Sequence, residues 1–139
     1  MTVLVVRHAR AGVRAAWEGD DRLRPLDKKG RRQAKALAET LAGLGADRLV
    51  SSPYLRCVQT IAPAGKRLGL PVDEREELAE GHTAADVAAL LAGLGAARPA
   101  LCTHGDVIDE LVAGRECKKG AIWVLDDELR PERYLPPPA

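Results

Sequence analysis

No phenylalanine occurs among the 139 residues, and tryptophan and tyrosine together number four. An aromatic-rich β-sandwich is therefore a poor fit, and the core must come from Leu, Val, Ile and Ala. Cysteine is scarce too: Cys57, Cys102 and Cys117 form an odd set with no CxxC spacing. That excludes a disulfide framework and fits a reducing cytosol. No long apolar run is present, so the sequence predicts neither a membrane span nor a signal peptide, and a cytoplasmic protein is expected. The formal net charge is only +1, which points to neither a nucleic-acid polymer nor a membrane as partner. The length suits one domain over 1–139, able to bury a core without disulfides or metals.

The small net charge hides an asymmetry. Residues 1–35 carry ten Lys/Arg against four Asp/Glu, and the remainder eleven against sixteen. A basic N-terminal third favours an anionic ligand or is simply a solvated face.

Strand and helix patterns alternate along the chain. "TVLVV" (2–6) is continuously apolar and β-branched, as in a strand covered on both faces. A charged loop with Gly12, Gly19 and Pro25 follows. From Lys28, the apolar positions Ala34, Leu37, Ala38, Leu41 and Leu44 recur at helical spacing until Gly45. "RLVSS" (48–52) predicts a second strand, with Ser52 and Pro53 as N-cap and first position of a helix that carries Arg56 and breaks or kinks at Pro63. "PVDERE" predicts a short edge strand. Thr83, three residues before Asp86, predicts a capping box opening the next helix. "PALCT" (99–103) reads as a strand ending at His104, followed by a short helix. "GAIWVLDD" (120–127) is a last strand, and 132–139 an extended Pro-rich tail. The expected fold is α/β, a three-layer α/β/α sandwich with a mostly parallel sheet.

Ligands of such sheets bind outside the carboxyl ends of the strands. Arg7 and His8 follow the first strand, Arg56 the second and His104 the "PALCT" strand, so one edge collects two arginines and two of the three histidines. Arginine forks suit phosphoryl oxygens, and a neutral imidazole is a competent nucleophile near neutral pH. An acid is still needed for the leaving oxygen. Glu80 is the first candidate, ahead of Glu76, Glu77 and Asp106.

The motifs "VVRHA", "PLDKKGRRQAKAL", "SSPYLRCVQT", "LAEG" and "CTHGDVI" together resemble, in order, those of the histidine phosphatase superfamily, whose fold is phosphoglycerate mutase-like. The resemblance implies that His8 becomes a transient phosphohistidine. Arg7, Arg56 and His104 would hold the phosphoryl oxygens, and Glu80 would protonate the leaving group and then assist water, with no metal or cofactor. The short chain resembles the compact branch that includes bacterial phosphohistidine phosphatases. Through "RHARAG", "WEGDDRLRPLDKKGRRQA" and "KKGAIWVL", it is also similar to the phosphatase domain that follows Nudix hydrolase domains in some actinobacterial proteins. The implied partner is a phosphorylated small molecule, such as a nucleotide, or a phosphoprotein. The resemblance to that domain implies that Lys118, Lys119 and the basic loop would meet phosphates beyond the reacting one. Ala9 stands where the family has a glycine, and Cys57 where many members have alanine.

Two rival readings follow from the same residues. A metal site from His8, His82, His104 and Cys102 lacks zinc-ligand spacing. A non-catalytic phosphate-binding module on the same fold requires only that the acid be missing. Trp17, in the loop, either flanks the site or packs locally, and Trp123 belongs to a strand core.

Overall fold

The computed structural model describes residues 1–139. Six strands form one sheet: β1 (Val3–Arg7), β2 (Arg48–Ser51), β3 (Val72–Glu74), β4 (Pro99–Thr103), β5 (Ile122–Leu125) and β6 (Pro131–Leu135). Their order is β3-β2-β4-β1-β5-β6; the first four are parallel, and β5 and β6 are antiparallel to their neighbours. Helices α1 (Lys28–Gly43) and α2 (Leu55–Leu68) cover one face, and α3 (Ala84–Ala92) and α4 (Gly105–Val112) the other. Side-chain alternation explains why β1 reads as continuously apolar. Val3 and Val5 join the core under α3 and α4, whereas Leu4 and Val6 join the core under α1 and α2. The three-layer expectation holds.

Three local expectations need correction. The helix after β2 begins at Leu55 with Tyr54 as its N-cap, not at Pro53 with Ser52. Ser52 is drawn to the site instead, as described below. Pro63 neither breaks nor ends α2. Cys57 and Ile61 before the proline and Ala64 after it are completely buried, and that burial outweighs the hydrogen bond the proline cannot donate. The tail is not merely extended, because Pro131–Leu135 pairs with β5 as an edge strand. The turn between them is closed by Asp126, whose Oδ1 accepts from Glu128 N and Arg130 N at 2.9 Å each. A connection this short joins only antiparallel strands. The capping box at Thr83 and Asp86 is present as expected.

The parallel register positions the site. Arg7 pairs with Thr103 and Ser51 with Cys102. The chain beyond each strand keeps that level: His8 N donates to Thr103 O at 3.1 Å, and Ser52 N to Cys102 O at 2.9 Å. His8, His104 and Ser52 therefore emerge side by side at the carboxyl edge.

Candidate active site

The loop from β1 to α1 is clamped to the two helices behind it. Gly30 sits so close to the loop that an added Cβ would stand 1.9 Å from Arg10 O. Gln33 Oε1 accepts from Arg10 N at 3.1 Å, and Gln59 Oε1 from Leu26 N at 2.8 Å. Thr60 Oγ1 accepts from Ala9 N at 2.9 Å and donates to Arg56 O at 2.6 Å. These contacts give a physical reason for the Gly–x–x–Gln–Ala and Gln–Thr patterns of the sequence: they pin the backbone that carries His8.

His8 is 5% exposed, and its Nδ1 lies 2.8 Å from Ala9 O. A carbonyl can only accept, so Nδ1 carries the hydrogen and Nε2 keeps its lone pair. Burial lowers the imidazolium to a pKa of about 3, with the charges of His104, Arg56 and Arg7 acting in the same direction against the Ala9 hydrogen bond. The ring is neutral near pH 7.

Arg7 lies flat over Gly105, the first residue of α4. A Cβ at Gly105 would stand 3.0 Å from the guanidinium carbon, so any larger residue there would push Arg7 from its place. Arg7 Nη1 donates to Cys117 O at 2.7 Å. His104 caps α4, and its ring centroid lies 5.5 Å from that of His8 and 4.6 Å from that of Tyr54. Ser52 Oγ meets His104 Nε2 at 2.8 Å, which leaves Nδ1 toward Glu80 Oε1 at 3.5 Å. In the whole protein, three buried side-chain nitrogens lack a hydrogen-bond partner: Arg7 Nε, Arg56 Nε and His104 Nδ1. All three belong to this one site.

Arg56 is completely buried and does not line the cavity surface. Two carboxylates cover it: Asp21 Oδ2 at 3.0 Å and Glu80 Oε1 at 2.6 Å from Nη2, while Nη1 donates to Asp21 O at 2.9 Å. Glu80 Oε1 also accepts from Arg14 Nη2 at 2.5 Å. That hydrogen bond raises the Arg14 guanidinium above its ordinary value. Asp21 Oδ1 further holds Arg24 Nε at 3.0 Å. Burial acts to raise the Asp21 carboxyl, but the combined pull of Arg24, Arg56 and Arg14 leaves it below the usual range.

The cavity in front of these residues has a volume of about 600 Å³, and its lining contains no hydrophobic residue. Besides Arg7, His8, Glu80 and His104, it is bordered by Arg14, Arg24 and Lys119 and by Asp106 and Asp109. Burial and the neighbouring Arg7 and Arg24 charges lower the Lys119 ammonium.

The structure thus brings Arg7, His8, Arg56, His104 and Glu80 together. Among the weaker acid candidates, Glu76 pairs with Arg22 and Glu77 with Arg75, neither on the cavity, whereas Asp106 lines it and accepts from Gly81 N. His82 pairs with Asp86 beside α3. Lys118 pairs loosely with Glu116. Asp21, Arg14, Arg24 and the hydroxyl of Ser52 were not singled out from the sequence. The excess of positive charge in residues 1–35 was the available signal, but it names no individual residue.

Known proteins place the chain in a family. Residues 3–89 match the model of the histidine phosphatase superfamily (branch 1). The chain is 40% identical over 158 aligned positions to an 8-oxo-(d)GTP phosphatase of Mycolicibacterium smegmatis, covering 99% of this chain and 48% of that protein, so it spans about half the length of that relative. It is 32% identical to the phosphohistidine phosphatase SixA of Escherichia coli, covering 81% of this chain and 73% of the relative. A structure of the protein histidine phosphatase SixA complexed with tungstate superposes with a TM-score of 0.80 at 27% identity, over 98% of this chain and 97% of that one. Motif order, sheet topology and relatives converge: the chain belongs to the histidine phosphatase superfamily, branch 1, in its compact, SixA-like branch.

Proposed function

We propose that the protein hydrolyses a phosphomonoester or phosphoramidate, without a metal, through a phosphohistidine on His8. The observation that carries this reading is the His8 tautomer: a buried, neutral ring whose Nδ1 is held by Ala9 O and whose Nε2 is free, between Arg7 and His104. Nε2 attacks phosphorus, the bond to the leaving oxygen breaks, and Glu80 gives that oxygen a proton. Water then attacks the phosphohistidine and returns a proton to Glu80, and the P–N bond breaks to release phosphate and neutral His8. Arg7, Arg56 and His104 hold the equatorial oxygens, and the unpartnered nitrogens of all three supply donors for them. A phosphate reaching Arg56 displaces Glu80 or Asp21 from its fork.

The substrate we favour is a nucleotide. Arg14, Arg24 and Lys119 add cations around the mouth beyond those needed for one phosphoryl group, and one relative acts on 8-oxo-(d)GTP. Protein phosphohistidine, the substrate named for SixA, is the second reading. The three unpaired cysteines suit a cytoplasmic setting.

The deciding experiment is hydrolysis of an aryl phosphate by wild type and His8→Ala, with EDTA throughout. Turnover that survives EDTA and disappears in His8→Ala is the expected result. A wild type inert on this substrate and on a panel of nucleotides and phosphohistidine would make the protein a phosphate-binding module instead.

A further inference from the structure

The phosphate cavity has no apolar wall, so it can hold an anion but offers nothing to an organic group attached to it. Beside it lies a second groove of about 250 Å³, lined by Val13, Ala16, Trp17, Pro25 and Leu26 among others. Arg24 borders both. It is 5% exposed and fixed by Ala11 O and Asp21 Oδ1. The 3-10 turn Arg14–Ala16 forms the partition: Arg14 reaches Glu80 on one side, and Ala16 faces the groove on the other.

Four large hydrophobic side chains are exposed in this protein: Met1, Val13, Trp17 and Leu23. Three of the four sit on the loop between β1 and α1, and two of these, Val13 and Trp17, line the second groove. Trp17 is 38% exposed in a chain with few aromatics, and Nε1 donates to Asp20 O at 2.9 Å, which fixes the indole plane.

We propose that this groove is a subsite for a planar aromatic group of the substrate, with Trp17 as its stacking face, so that the preferred phosphate ester is of the nucleotide kind. The proposal rests on the phosphatase reading above and narrows it. Because Arg24 borders both spaces, a phosphate in the first and a ring in the second would share one neighbouring side chain, the arrangement expected if they belong to one molecule. Stacking of a base on an aromatic side chain is commonly worth about tenfold or more in affinity.

Two measurements test this. The first is kcat/KM for AMP relative to glycerol phosphate in wild type, Trp17→Ala and Trp17→Phe. The ratio is expected to fall about tenfold in Trp17→Ala, mainly through KM, and to recover in Trp17→Phe, which keeps a planar ring; misfolding would not produce that recovery. An unchanged ratio in Trp17→Ala overturns the subsite, as does a loss confined to a phosphohistidine-bearing protein, which would make the loop a protein-docking surface. The second is indole fluorescence of His8→Ala protein titrated with AMP and with glycerol phosphate. Trp123 is buried, so quenching by AMP alone reports Trp17; equal or absent quenching overturns the proposal. If wild type hydrolyses neither ester, the titration decides the subsite, and the phosphatase reading is judged separately on the aryl phosphate and the wider panel.

Discussion

His8 and His104 meet edge to face with their ring centroids 5.5 Å apart, although 96 positions separate them. The pairing of Arg7 with Thr103 in adjacent parallel strands sets that distance. Each histidine is the first residue past its strand, so one register brings both to the same level of the sheet edge.

Glu80 touches Arg56 and Arg14 through a single oxygen and faces His104. As the proton donor, it matters most when the leaving oxygen is basic. Glu80→Gln should lower kcat/KM on an alkyl phosphate by about 10²–10⁴-fold. On nitrophenyl phosphate, whose leaving group needs no proton, the loss should be far smaller. Equal losses on the two substrates would remove Glu80 from the acid role.

Asp21 holds Arg24, Arg56 and Arg14 in place. Asp21→Ala is expected to weaken phosphate binding, with KM on an aryl phosphate and the inhibition constant for inorganic phosphate both rising about tenfold, the worth of one charge-assisted hydrogen bond. Tighter phosphate binding would instead mean that Asp21 acts mainly as a competitor for the arginines.

The buried neutral His8 gives stability a definite pH dependence. Its folded pKa of about 3 lies below the ordinary value of 6.5. Between these limits, the unfolded chain binds a proton that the folded protein refuses, so stability is lost as pH falls through that window, by up to about 1.4 kcal/mol per pH unit from this group. Urea unfolding at pH 7 and pH 5 should show a smaller acid loss for His8→Asn than for wild type. In NMR, the His8 ring should not titrate between pH 5 and 8.

At Gly30 there is no room for a methyl group, because the neighbour at 1.9 Å is the backbone of Arg10. Gly30→Ala should cost about 1–3 kcal/mol in stability and lower kcat as the loop behind His8 shifts. Thermal unfolding and aryl phosphate kinetics, measured on the same preparation, would show whether the two losses travel together.

Much of this protein is readable along the chain because its causes are local. Hydrophobic period distinguishes the apolar strand Val3–Arg7 from the helix that begins at Lys28, and strands that alternate with helices imply a parallel sheet with its ligand edge at the carboxyl ends. Arg7, His8, Arg56 and His104 stand out because Arg7 ends a strand and each of the others closely follows one. What sequence could not supply came from contacts between distant segments. Burial on both sides of Pro63 carries α2 through a residue that locally opposes a helix. Ser52 leaves the N-cap because His104, brought to the next strand by register, offers a closer partner. Asp21, Arg14 and Arg24 are three charges among many on a basic loop, and only the folding of that loop over Glu80 and Arg56 separates them from a solvated surface. Local pattern determines which elements form, because the backbone period is short-ranged. Which side chains meet at the sheet edge is a property of the packed sheet and loop.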